Sequence, residues 1–131
     1  MIAFDTNMLV RALVLDNPAQ ADVVRQLMAA NTVFISRTVL LETEWVLRTR
    51  YKKSKDQMQQ FFVALLASEN AVVEAADAVS HALDWYVQGA DFADALHLSA
   101  CEAAVMHTFD REFCTAARSI GATPEVRVWE D

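Results

Sequence analysis

Short apolar runs alternate along the chain with longer stretches whose apolar residues recur at helical spacing. Met1-Ile2-Ala3-Phe4 predicts a short first strand that stops at Asp5. Asn17-Pro18 opens a helix over 18–30, since proline suits the first helical turn. Residues 32–35 predict a second strand, and Ser36 is placed to cap a long helix over 38–52. Ser54-Lys55-Asp56 starts another helix, to about residue 68, before a third strand at 72–74. Helices follow near 77–87 and from Asp91 to about 103, then a fourth strand over 104–109. A helix over 111–119 and an edge strand over 125–129 complete the pattern. Strands alternating with helices imply an α/β fold in which a parallel sheet is covered on both faces.

Composition narrows this picture. At 131 residues the chain has the length of one domain, and it can bury a core without disulfides or structural zinc. Only two glycines and two prolines are present, where average usage gives about nine glycines. Gly89 and Gly121 are too far apart for a glycine-rich phosphate loop. Cys101 and Cys114 lack metal-ligand spacing and read as reduced core cysteines of a cytoplasmic protein. No apolar run approaches the roughly 20 residues of a membrane span, and no signal-peptide pattern opens the chain. Eleven basic against eighteen acidic residues give a net charge of −7. That balance disfavours a nucleic-acid partner unless the acids serve a purpose of their own.

Several of those acids stand where ligands bind in open parallel sheets, beyond the carboxyl ends of strands. Asp5 ends the first strand and Asp110 follows the fourth; helix capping is the ordinary structural role of each. Glu42 shares a helical face with Val39, Trp45 and Val46, so it is expected to be desolvated, whereas Glu44 falls on another face as a solvated acid. Asp91 and Asp94 are three apart at a helix start, with Asp94 aimed inward; Glu112 reads as a first-turn acid. If the elements pack as one sheet, Asp5, Glu42, Asp94 and Asp110 converge. Their mutual repulsion is then relieved by a hard divalent cation, for which all-oxygen ligands select. No Ser-His-Asp or Cys-His arrangement competes, and His81, His97 and His107 read as ordinary histidines, His97 being nearest the site.

The opening Met1-Ile-Ala-Phe-Asp5-Thr6-Asn7, the stretch from Ser36 through Glu42 to Leu47, Asp91-Phe-Ala-Asp94-Ala-Leu, and Thr108-Phe-Asp110-Arg-Glu-Phe113 together resemble PIN-domain proteins, most nearly the VapC-type toxins of bacterial toxin–antitoxin pairs. The resemblance runs over essentially the whole chain, residues 1–131, as a single PIN-like domain. It implies a three-layer α/β/α fold with a central five-stranded parallel sheet and a Mg²⁺- or Mn²⁺-dependent ribonuclease. Asp5, Glu42, Asp94 and Asp110 match the family's acidic positions as metal ligands and catalytic residues. Thr6 and Asn7 match its supporting polar residues, and Asp91 occupies a place where many members also carry an acid. A homodimer and an antitoxin that blocks the cleft with an arginine-bearing segment are implied as well.

RNA contact falls to the basic cluster Arg48, Arg50, Lys52, Lys53 and Lys55 around Tyr51, which also reads as an ordinary solvated helix end or as a junction for a protein partner. Tyr51, Trp45 and Trp85 are the candidate base-stacking residues, although core packing is the expected role of both tryptophans. Two other classes remain: a non-catalytic interaction module, suited to an apolar, acidic chain, and a phosphatase with Asp5 as nucleophile. The phosphatase is weakened by Asn7 standing where it needs a second acid.

Overall fold

Each strand is two to four residues long, so the fold depends on what the intervening helices cover. The structure is a computed structural model and describes residues 1–130. It divides into two compact units, Met1–Ala76 and the chain from Asp77 onward. The first contains β1 (Ile2–Ala3), α1 (Thr6–Leu13), α2 (Pro18–Ala30), β2 (Val33–Ile35), α3 (Arg37–Thr49), α4 (Lys55–Ala67) and β3 (Ala71–Val73). Its strands lie parallel in the order β1-β2-β3, with Ile2 opposite Val33 and Val33 opposite Ala71. Val33 and Ile35 are fully buried and Phe34 is half-buried, as expected for a central strand covered on both faces.

The second unit contains α5 (Ala76–Val87), α6 (Phe92–Ser99), β4 (Val105–Thr108), α7 (Arg111–Ser119) and β5 (Glu125–Val128). β4 and β5 pair in parallel, Val105 opposite Glu125 and Thr108 opposite Val128. Leu98, Cys114, Ala117 and Val126 form its inner core, against which Trp85, Met106 and Phe113 pack.

The α/β class and the parallel pairing agree with the expectation. The sheet does not: the paired strands form one sheet of three and another of two rather than a continuous five-stranded sheet. α1 is an element the hydrophobic pattern left unassigned. Two helices end earlier than expected, α3 at Thr49 and α6 at Ser99, so Cys101 lies outside any helix. At the α3–α4 junction the Lys53 amide donates to the Leu47 carbonyl at 3.0 Å, and Lys52 takes a left-handed conformation, φ +53°. Among the described residues, no helix is long and apolar enough to cross a membrane.

Polar side chains fix the helix starts. Asn17, Ser36 and Ser54 each accept a hydrogen bond from an amide three residues on, and Ser54 forms a reciprocal capping box with Gln57. α3 has a second tie. The Arg37 amide donates to Glu74 Oε1 at 2.8 Å, while the Glu74 amide donates to the Ile35 carbonyl. A carboxylate thereby sits at the positive end of α3, and the Arg37 amide, more than the Arg37 charge, holds the Glu74 carboxyl below its ordinary pKa. A lowered folded-state pKa stabilises the fold above the unfolded-state pKa, and the contribution is lost as pH falls through the folded value. Glu74→Gln is therefore expected to lower unfolding free energy by about 0.5 kcal/mol at neutral pH, allowing for solvent screening of a half-exposed group. Urea titrations should show that difference lost as pH falls through the lowered Glu74 value.

Candidate active site

Asp5, Asp91 and Asp110 owe their positions to one local device. Each caps the helix that follows, Asp5 and Asp110 after a strand and Asp91 after the short turn from α5, accepting from the amide of Met8 at 3.0 Å, Asp94 at 3.0 Å and Phe113 at 3.1 Å respectively. In each case Oδ1 makes the cap, and no hydrogen bond among the described residues engages Oδ2. Capping and ligation are therefore compatible in the same carboxylate: one oxygen fixes the group and the other makes no hydrogen bond among the described residues. Asp110 is held further by its own amide, which donates to the Thr108 hydroxyl at 2.9 Å.

In the first unit, Asp5, Thr6 and Asn7 line a recess of about 310 Å³ together with Val39, Glu42, Trp45, Val46 and Arg50 of α3 and its C-terminal cap. The structure thus brings Asp5 and Glu42 to one place, with Asn7 exposed beside them and Thr6 buried at the start of α1. Two expectations for α3 are reversed. Glu42 is exposed, and Glu44 is the buried acid, 4% exposed. The Arg48 Nε donates to Glu44 Oε2 at 2.9 Å, one turn along the helix. Beside Glu44, the Thr43 hydroxyl donates to the Val39 carbonyl at 2.7 Å. Both polar side chains thus have a partner on α3 itself, and the face that enters the core is Leu40, Thr43, Glu44 and Leu47. Trp45 consequently points away from the core and is 49% exposed, contrary to its expected packing role; Trp85 keeps that role in the second unit.

In the second unit, Asp91, Asp94, Asp110 and Glu112 line a recess of about 400 Å³ with Gly89, Phe113 and Ala116. Glu112 stands in the first turn of α7, as expected of a dipole-compensating acid, yet also lines this recess. Asp94 is half-buried, and its carboxyl is raised above the ordinary value, first by burial and then by the charges of Asp91 and Asp110. His97, exposed and one turn along α6, partly offsets this. A part-buried carboxyl raised further by neighbouring carboxylates marks a place where positive charge is favoured.

Of the basic cluster, Arg48 is committed to Glu44, and Arg50 lines the recess of the first unit. Lys52 and Lys55 are exposed; Lys53 and Tyr51 are half-buried. Among the described residues, no three histidine, cysteine or carboxylate side chains are grouped as a ready-made metal site. Within the first unit Asp5 and Glu42 line one recess, and within the second Asp94 and Asp110 line another.

Comparison with known proteins adds the context for these acids. No curated protein matches the chain. Among solved structures, the chain is similar to VapC20 of Mycobacterium tuberculosis, described as a sarcin-ricin-loop-cleaving toxin. That match has 22% sequence identity, covers 95% of this chain and 98% of that one, and has a TM-score of 0.45. The PIN domain family model matches residues 2–119. A match of that length takes in Asp5, Glu42, Asp91, Asp94 and Asp110 alike, and with it the chain belongs to the PIN-domain family.

Proposed function

We propose that this chain is a divalent-metal-dependent endoribonuclease, the toxin of a VapC-type toxin–antitoxin pair, hydrolysing RNA phosphodiester bonds with metal-activated water. The observation that carries the reading is the PIN-family match over a chain whose capping aspartates each leave a carboxylate oxygen free of hydrogen bonds. The acids assigned to metal binding and catalysis are Asp5 and Glu42 in the first unit and Asp94 and Asp110 in the second, with Asp91 extending the second set. Their chemistry fits Mg²⁺ or Mn²⁺, since every donor is a hard oxygen and Asp94 is under repulsion that a cation relieves. When bound, the metal supplies charge against the phosphate oxygens and lowers the pKa of water. Thr6 and Asn7 support Asp5 at the start of α1, and Arg50, Lys52 and Lys53 supply cations for the RNA backbone. The remaining assignments are a cytoplasmic location, a homodimer, and an antitoxin bearing an arginine segment.

Purified protein is expected to cleave single-stranded RNA with Mn²⁺ or Mg²⁺ and to lose that activity in EDTA. Asp5→Asn and Asp94→Asn should each lower kcat/KM by on the order of 100-fold or more, as loss of several kcal/mol of charge stabilisation implies. Asparagine caps helices as well as aspartate does, so Asp5→Asn should leave the melting temperature close to that of the wild type. Equal cleavage in EDTA would overturn the metal mechanism, and absence of both cleavage and Mn²⁺ binding would leave a non-catalytic PIN-like module.

Asp94 gives a test independent of turnover. Its carboxyl is raised in the folded state, so its charged form opposes folding as pH climbs from the ordinary aspartate range through the raised value. Without metal, Asp94→Asn is expected to melt about 2 °C higher than wild type near neutral pH. Once pH falls below the ordinary aspartate range, where the carboxyl is protonated in folded and unfolded chain alike, the gap should close. Adding Mn²⁺ should raise the melting temperature of wild type more than that of the variant. A variant less stable than wild type at neutral pH, by thermal unfolding in EDTA, would contradict this.

A further inference from the structure

The orientation of α3 leaves one large side chain without a structural reason. Trp45 is 49% exposed, and among the described residues its ring makes no aromatic contact and its indole N–H no hydrogen bond. A tryptophan held at the surface by a rigid helix, and not needed by the core, is an available aromatic platform. It lines the same recess as Asp5, Asn7, Glu42 and Arg50, and the volume of about 310 Å³ is at the small end of ligand pockets. Arg50, the C-terminal cap of α3, is exposed, and no ion pair among the described residues engages its guanidinium; Arg48 is already held by Glu44. An aromatic face, a free cation and two carboxylates in one recess are the complement of a single nucleotide: a neutral base, a phosphate, and the ribose hydroxyls.

We propose that Trp45 and Arg50 form a subsite for one unpaired nucleotide of the RNA substrate, the base stacked on Trp45 and a backbone phosphate at Arg50, beside Asp5 and Glu42. This rests on the ribonuclease reading and deepens it by assigning a base-binding residue. Stacking requires an open base face, so the subsite selects single-stranded or loop RNA over a continuous duplex. It also offers an acidic chain a means of holding RNA that does not depend on net charge, because stacking on an indole is indifferent to the surrounding carboxylates. Rigidity comes from the opposite side of the helix, where Leu40, Thr43, Glu44 and Leu47 are buried.

The test uses the full chain carrying Asp5→Asn to block cleavage, with Trp85→Phe and Trp129→Phe so that Trp45 is the only tryptophan. Titration with a short single-stranded RNA should quench its emission saturably, and the same oligonucleotide with abasic sites should not. Because Trp85 packs in the second unit, a parallel set keeps both other tryptophans and reads RNA binding by anisotropy. There Trp45→Ala should weaken binding by at least about fivefold, the low end for one stacked base, while Trp45→Phe retains most of the affinity. Arg50→Ala should reduce the dependence of log affinity on log salt by about one. The melting temperature of Trp45→Ala should stay within about 2 °C of wild type, because little is lost from the core. RNA binding with unchanged Trp45 emission and undiminished affinity in Trp45→Ala overturns the subsite. So does emission that responds to protein concentration and not to RNA, which assigns Trp45 to a contact with a second copy. If wild-type protein still cleaves RNA in either case, the subsite alone fails; if it neither binds nor cleaves RNA, the ribonuclease reading fails with it.

Discussion

A helix that begins directly after a strand presents free amides to whatever residue makes the turn, and a carboxylate is the strongest ordinary acceptor for them. Asp5 and Asp110 each stand at that turn, after β1 and β4, and Asp91 caps α6 after the turn that follows α5. The cap fixes the carboxylate relative to the strand end, which is where parallel sheets present ligands. It also couples structure to chemistry in one group. An alanine at any of these positions removes a helix cap together with a candidate ligand, whereas asparagine keeps the cap and alters the charge. That distinction makes Asp→Asn the informative change throughout this protein.

The second constraint is the rotation of α3. Two faces compete for the core: Leu40 and Leu47 on one, Val39, Trp45 and Val46 on the other. On hydrophobicity alone the second is the larger. The first is the one buried, with both its polar members partnered, the Thr43 hydroxyl donating to the Val39 carbonyl and Arg48 donating to Glu44. An ion pair with only its carboxylate buried is weak evidence of stability, since desolvation of Glu44 offsets much of the attraction to the half-exposed Arg48. Its consequence is nevertheless large here, because the choice of face decides that Glu42 stands in the recess with Asp5 and that Trp45 faces outward.

Much of this was legible in the sequence where the determinant is local. Asn17, Ser36, Ser54 and Asp91 mark helix starts by residue type, and α2 and α7 fall on the residues their periodicity predicts. The candidate acids at Asp5, Asp94 and Asp110 were legible for the same reason, being tied to element ends. What depended on packing was not. α1 is short and follows a cap directly, so nothing in a strand-then-helix pattern separates it from a loop beyond Asp5 itself. The solvated role expected of Glu44 failed because a side-chain pair one turn apart can bury charge that hydrophobicity alone places outside. The division of the strands into sets of three and two depends on long-range pairing, which two- to four-residue strands do not encode.

The acidity of the chain follows from these same features. A chain of net charge −7 is poorly suited to RNA if its acids are spread evenly over its surface, but six of the eighteen line two recesses. Asp5 and Glu42 share one recess, and Asp91, Asp94, Asp110 and Glu112 share another. Burial first, and then the like charges of Asp91 and Asp110, raise the Asp94 carboxyl and lower stability, a cost that a cation at the acids offsets. On the ribonuclease reading, the repulsion that disfavours RNA in the metal-free chain is the same repulsion that draws in the metal. Net charge alone then mispredicts the partner, because the sign that RNA meets is set where the cation binds.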